Sequence, residues 1–129
     1  MSLITMPAGT YYVGDICYVM HDVWDEACDL MIPDGKPPVD GIFDLEDGRQ
    51  FAVFSTAYGD GVYYDESARA YPVDSGCIGC IKVSDIKDET FDIKDIDNLG
   101  NIIHFDEEFE VGNYDGVIFF GNVNIWTTE

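Results

Sequence analysis

"GIFDLEDGRQFAVF", residues 41–54, sets two apolar, β-rich runs on either side of Asp47-Gly48, and its reading decides the fold class. An Asp-Gly pair accepts positive φ at both central positions of a type I′ turn, whose twist suits two antiparallel strands. The stretch therefore predicts a tight hairpin. A second hairpin is predicted in "GVYYDESARAYPV" (61–73), with Asp65 to Arg69 as a longer loop. Pro72 cannot donate to a ladder, so its strand belongs at a sheet edge or turns that position outward.

The same character recurs along the chain. "GTYYVG" (9–14), "DICYVM" (15–20), "GCIGCIKV" (76–83), "TFDIK" (90–94), "NIIHF" (101–105), "EFEV" (108–111) and "GVIFFGNVNIWT" (116–127) all read as strands between Gly, Asp, Asn and Pro turn signals. Their spacing of roughly 8 to 12 residues is that of an all-β domain. The expectation is one domain over residues 1–129, a barrel or packed sandwich of short, mostly antiparallel strands. One short helix is predicted near residues 22–31, in "HDVWDEACDLMI". Asp22 serves as N-cap, Asp25 and Glu26 favour the first turn, and Val23, Trp24, Ala27, Leu30 and Met31 share a face. "PDGKPP" (33–38) ends it.

With 129 residues, 47% hydrophobic and 14% aromatic, the chain has enough apolar surface to offset the entropy of ordering, despite a formal charge of -20. Its 26 acidic against 6 basic residues repel phosphate backbones and anionic membranes, which argues against direct binding of nucleic acid or lipid. The charge leaves an unknown ligand or a basic protein as partner. The N-terminal "MSLITMPAGTYY" lacks the basic and long apolar regions of a secretory signal, and no apolar run is long enough to span a bilayer, so a cytoplasmic location is expected.

In such a compartment Cys17, Cys28, Cys77 and Cys80 are read as reduced thiols. Cys77-x-x-Cys80 has redox and zinc spacing, but a redox pair needs its first cysteine at a helix N-terminus. The surrounding "GCIGCIKV" is β-like, and Cys17 and Cys28 are too far apart to supply a second close zinc pair. Asp95, Asp97, Gly100 and Asp106 fall at positions 1, 3, 6 and 12 of an EF-hand-like loop, yet position 5 is Leu99 and no helical pattern flanks it. No metal site and no cofactor is assigned. Catalysis by Cys17 or Ser75 requires His21 or His104 as base, and neither spacing is diagnostic. No catalytic residue is assigned either.

"GTYYVGDICYVM", "FAVFSTAYGDGVYYD", "YPVDSGCIGCI" and "VIFFGNVNIWT" together resemble small β-rich bacterial and bacteriophage proteins of unknown function. These carry Gly-Asp-x-Cys-Tyr, Tyr-Gly-Asp-Gly and Val-Asp-Ser-Gly-x-x-Gly segments in that order. The resemblance implies a compact β fold and supplies no activity. If the strands bearing these segments are neighbours, Asp15, Cys17, Tyr18, Tyr58, Asp60, Tyr64, Asp74 and Ser75 line one ligand pocket. The resulting expectation is an acidic binding protein. The rivals are a small hydrolase or transferase using Cys17 or Ser75 with a histidine, and a DNA mimic whose carboxylates imitate phosphates.

Overall fold

The computed structural model describes residues 4–20, 24–31, 40–56, 59–74, 76–86, 100–114 and 116–127. Eleven strands occur among them: β1 (Ile4–Met6), β2 (Gly9–Gly14), β3 (Gly41–Asp44), β4 (Gln50–Ser55), β5 (Gly61–Asp65), β6 (Ala70–Val73), β7 (Cys77–Lys82), β8 (Gly100–Phe105), β9 (Phe109–Tyr114), β10 (Val117–Phe120) and β11 (Val123–Trp126). They form two antiparallel sheets, one ordered β1-β9-β10-β11-β5-β6 and the other β3-β4-β7-β2-β8. The result is a sandwich with open edges; neither sheet closes into a barrel. β6, which carries Pro72, is an edge strand as its missing N–H requires.

The two sheets enclose a core in which Tyr11, Phe54, Tyr71, Ile78, Ile118 and Phe120 are buried. Tyr11 meets Phe109 edge-on at 5.0 Å, and Phe105 stacks on Phe109 at 3.8 Å between centroids. A second core lies on the opposite face of the five-stranded sheet, where Tyr12, Ile16, Met20, Phe51, Val53 and Ile81 are buried. The helix α1 (Trp24–Met31) covers that face with Ala27, against which Trp24, Cys28 and Leu30 also pack. Strands buried on both faces lose the alternation of a half-exposed sheet. That is why "FAVF" and "CIGCI" are unbroken apolar runs, while "NIIHF" at the edge alternates. Within β7, Gly79 lies against β4 so closely that a Cβ there would overlap the Ala52 carbonyl oxygen.

Four sequence expectations need correction. "DICYVM" is not a strand: the Asp15 side chain accepts the Cys17 N–H and starts a 3-10 turn at Ile16–Tyr18. "GVIFFGNVNIWT" is two strands, β10 and β11, joined by a two-residue turn in which Gly121 takes φ +61°. A short first strand, β1, pairs with β9 and was not anticipated from "ITM". The Asp47-Gly48 hairpin exists, but its loop has three residues. The Leu45 N–H donates to the Arg49 carbonyl at 2.7 Å, the Gly48 N–H donates to the Leu45 carbonyl at 3.0 Å, and only Gly48 has positive φ, +94°. This is the turn-plus-bulge form of hairpin, in which one left-handed residue suffices. The helix begins within the predicted span; Asp22 and Val23, and the "TFDIK" strand, lie outside the described residues.

The β5–β6 hairpin repeats this geometry with a different residue at the critical place. The Asp65 N–H donates to the Arg69 carbonyl and the Ala68 N–H to the Asp65 carbonyl, so Ala68 occupies the position of Gly48, with φ +64°. A left-handed conformation costs a residue with a Cβ roughly 1–2 kcal/mol, and glycine escapes that cost while gaining freedom in the unfolded chain. The two hairpins thus predict opposite signs. Gly48→Val is expected to lower stability by about 1 kcal/mol or more, and Ala68→Gly to raise it by about 0.5 kcal/mol. Urea denaturation at constant m-value checks both; an unchanged midpoint for Gly48→Val contradicts the turn assignment.

Candidate functional site

Asp15 follows β2 in one sheet and Asp74 follows β6 in the other, and the two meet at one end of the sandwich. The Asp15 carboxylate is fully buried. Its Oδ1 accepts the Cys17 N–H at 3.1 Å and its Oδ2 accepts the Asp74 N–H at 2.7 Å. The Tyr18 hydroxyl then donates to the Asp74 carboxylate at 2.6 Å, and the Tyr12 hydroxyl donates to the Asp15 carbonyl at 3.2 Å. Burial raises the Tyr18 pKa, with the Asp74 hydrogen bond and the Asp74 charge adding to it. Tyr18 therefore stays protonated and donating.

Of the residues selected from sequence, Asp15, Cys17, Tyr18 and Asp74 thus converge although β2 and β6 are far apart in the chain. Asp60 lies near Gly76, two residues beyond Asp74: a Cβ there would lie 4.0 Å from the Asp60 Oδ1. Tyr64 does not join them. It is three residues further along the β5–β6 ladder, opposite Ala70, and points outward. Tyr58 and Ser75 lie outside the described residues. Thr56, which sequence reasoning passed over, binds this end together: its hydroxyl donates to the Gly59 carbonyl at 2.6 Å and its N–H to the Gly76 carbonyl at 3.0 Å.

The reactive groups are dispersed. His104 stands exposed on the edge strand β8, where Nδ1 meets the Thr10 hydroxyl at 2.8 Å and Nε2 the Asp106 carboxylate at 3.1 Å. His104 bonds Thr10 near the start of β2, whereas Cys17 is in the 3-10 turn that follows the end of that strand. His21 lies outside the described residues. All four cysteines are unbridged. Cys77 faces the helix-side core and Cys80 the inter-sheet core, so the two sulfurs of "CIGC" point to opposite faces of one strand. Burial raises the Cys80 and Cys28 thiol pKa values and keeps both protonated. Of the EF-hand-like positions, 95, 97 and 99 lie outside the described residues, while Gly100 is buried in β8.

A second buried carboxylate, Asp65, organises the β5–β6 hairpin. Its Oδ1 accepts the Ser67 and Arg69 N–H groups, and its Oδ2 accepts the Arg69 guanidinium and the Tyr71 hydroxyl, both at 2.7 Å. Burial alone would raise its pKa, but the Tyr71 bond, the two backbone bonds and Arg69 outweigh it, and the pKa is lowered.

Both carboxylates give measurable consequences. Removing the Asp15 side chain leaves two backbone donors without that acceptor, so Asp15→Ala is expected to cost about 2 kcal/mol or more, while Cys17→Ser, which keeps the Cys17 N–H bond, costs less. Equal losses in denaturant would refute the tie. A carboxylate with a depressed folded pKa contributes stability above its ordinary pKa, 3.8 here, and loses it as pH falls through the lower folded value. Acidification also relieves the repulsion of a chain at -20, with the opposite sign. The difference between wild type and Asp65→Asn isolates the first effect. It is expected to shrink as pH falls below about 4, and a difference that stays constant excludes Asp65 as the source.

Compared with protein-family models, with curated proteins and with solved structures, the chain matches none.

Proposed function

We propose that the chain is an acidic, cytoplasmic binding protein for a basic protein surface, of the small β-rich bacterial or bacteriophage kind that its motifs resemble. One observation supports this reading above the others. Thirteen carboxylate residues among the described residues are exposed, and none of the three described basic residues is. Arg49 is buried against Asp47 at 2.7 Å, Arg69 is tied to Asp65, and Lys82 is half-buried. The exposed charge among the described residues is therefore acidic, and its field attracts and orients a cationic protein while repelling polyanions.

The scaffold favours the same reading. Asp15, Tyr18 and Asp74 bond one another or the backbone, so their polar groups hold the shape of the end of the sandwich. A basic DNA-binding protein is one partner that fits, through carboxylates standing in for phosphates. The catalytic rival calls for Cys17 or Ser75 beside an imidazole.

Immobilised protein incubated with bacterial extract, followed by identification and titration of what it captures, tests the reading. Captured partners are expected to be strongly basic, with affinity falling as ionic strength rises. Asp60→Asn and Tyr64→Phe are expected to weaken capture more than Cys17→Ser or His104→Gln. Salt-insensitive capture of neutral or acidic proteins overturns the proposal. So does a turnover abolished by Cys17→Ser and by a histidine change but untouched by Asp60→Asn.

A further inference from the structure

The two sheets differ in what lies on their outer faces. The five-stranded sheet carries α1 and the Ile16–Tyr18 turn, whereas no described helix packs on the outside of the six-stranded sheet. On the open face the pairing register aligns Tyr114 on β9, Val117 on β10, Trp126 on β11 and Tyr64 on β5 in one row. Tyr114 is 68% exposed, Tyr64 53% and Trp126 46%. Directly opposed residues bring their Cβ atoms to ~5 Å, so Tyr64 and Trp126 are immediate neighbours and Tyr114 stands about 10 Å away, two strands over. The neighbouring row is level, because the Phe119 ring lies over Gly112, where a Cβ would be 2.7 Å from it.

An exposed apolar patch of this kind marks an interaction surface. None of the six strands of this sheet contains Lys or Arg. The charges around the row are acidic. Glu66 follows Tyr64 closely and accepts the Asn124 N–H at 2.9 Å, Glu110 is exposed on the Tyr114 strand, and Asp60 is exposed just before β5. Aromatic faces and carboxylates both attract guanidinium and ammonium groups, and the sheet supplies no such group of its own. A second copy of this chain would bring an equally acidic face, and a nucleic acid would bring phosphates, so both are repelled.

We propose that the outer face of the six-stranded sheet docks a cationic polypeptide segment, with Tyr64, Trp126 and Tyr114 as its aromatic anchors and Glu66 and Glu110 as its acidic rim. The proposal rests on the basic-partner reading and adds the surface and the residue chemistry. Arginine side chains of the partner stack on the rings while their charge is met at the rim, and its apolar residues cover Val117 and Val62. Central aromatic residues of this kind carry most of the affinity of an interface, and rim carboxylates set its salt dependence.

The test uses the full chain carrying Trp24→Phe, which leaves Trp126 as the sole tryptophan. An alternating Arg-Leu peptide is titrated while Trp126 fluorescence is followed, beside a Glu-Leu peptide of the same length and a neutral β-glucan oligosaccharide. The cationic peptide is expected to change the Trp126 emission, and Tyr64→Ser with Tyr114→Ser to weaken it at least tenfold. Glu66→Gln with Glu110→Gln is expected to flatten the salt dependence. If the peptide binds in a salt-dependent way but leaves Trp126 and the tyrosine variant unaffected, the basic-partner reading survives and this face does not. If no cationic peptide binds, both fall. A response to the oligosaccharide or to the chain's own concentration, without one to the Arg-Leu peptide, assigns the face to a sugar or a second copy and overturns the proposal.

Discussion

The Asp15 carboxylate, buried and divided between the Cys17 and Asp74 N–H groups, is the contact on which one whole end of the sandwich depends. One oxygen turns the chain out of β2 into its 3-10 turn, and the other fastens the end of β6 in the opposing sheet. A single side chain thereby sets both a local bend and the separation of two layers. An ionised group is costly to bury without partners and stable when its lone pairs are met by fixed donors. Asp65 applies the same device within one hairpin, with four donors around two oxygens. The two carboxylates sit where side-chain packing has least to offer, at a turn and beyond a strand end.

The fold class and most strands were legible because each rests on a local rule. Asp47-Gly48 announces a reversal whatever the loop length, and Pro72 announces an edge. The details that failed depend on what no local rule carries. "DICYVM" has the composition of a strand, and composition does not show that the Asp15 side chain accepts the Cys17 N–H and bends the chain there. The three-residue form of the 45–49 turn was hidden because Asp-Gly serves two hairpin types equally. The break in "GVIFFGNVNIWT" was legible in Gly121-Asn122, a pair that suits a tight turn, though the apolar run on both sides masks it.

Asp15, Cys17, Tyr18 and Asp74 were grouped on the condition that the strands bearing their segments are neighbours, and the structure brings these four together through the Asp15 and Asp74 carboxylates, which accept donors across the layers. Tyr64 was grouped with them on the same condition. Strand periodicity argued otherwise, since Tyr63 and Asp65 point inward and Tyr64 must therefore point out. The partners of Tyr64 on the outer face, Trp126 and Tyr114, could not be found without strand order. Residues 64, 114 and 126 become neighbours only through the pairing of β5, β11, β10 and β9.

Charge and exposed aromatic surface answer to each other in this molecule. An open sheet face with three exposed rings and no lysine is an apolar patch that would find its own copies if nothing kept them apart. Local gatekeepers would solve that problem but would place cations on the rings and repel a cationic partner. A formal charge of -20 spread over the whole chain solves it differently, by keeping like molecules apart while leaving the face itself bare. The same field distinguishes partners by sign before contact and leaves the aromatic row to decide affinity after it. The acidic surface is then the condition under which such a face can be kept open.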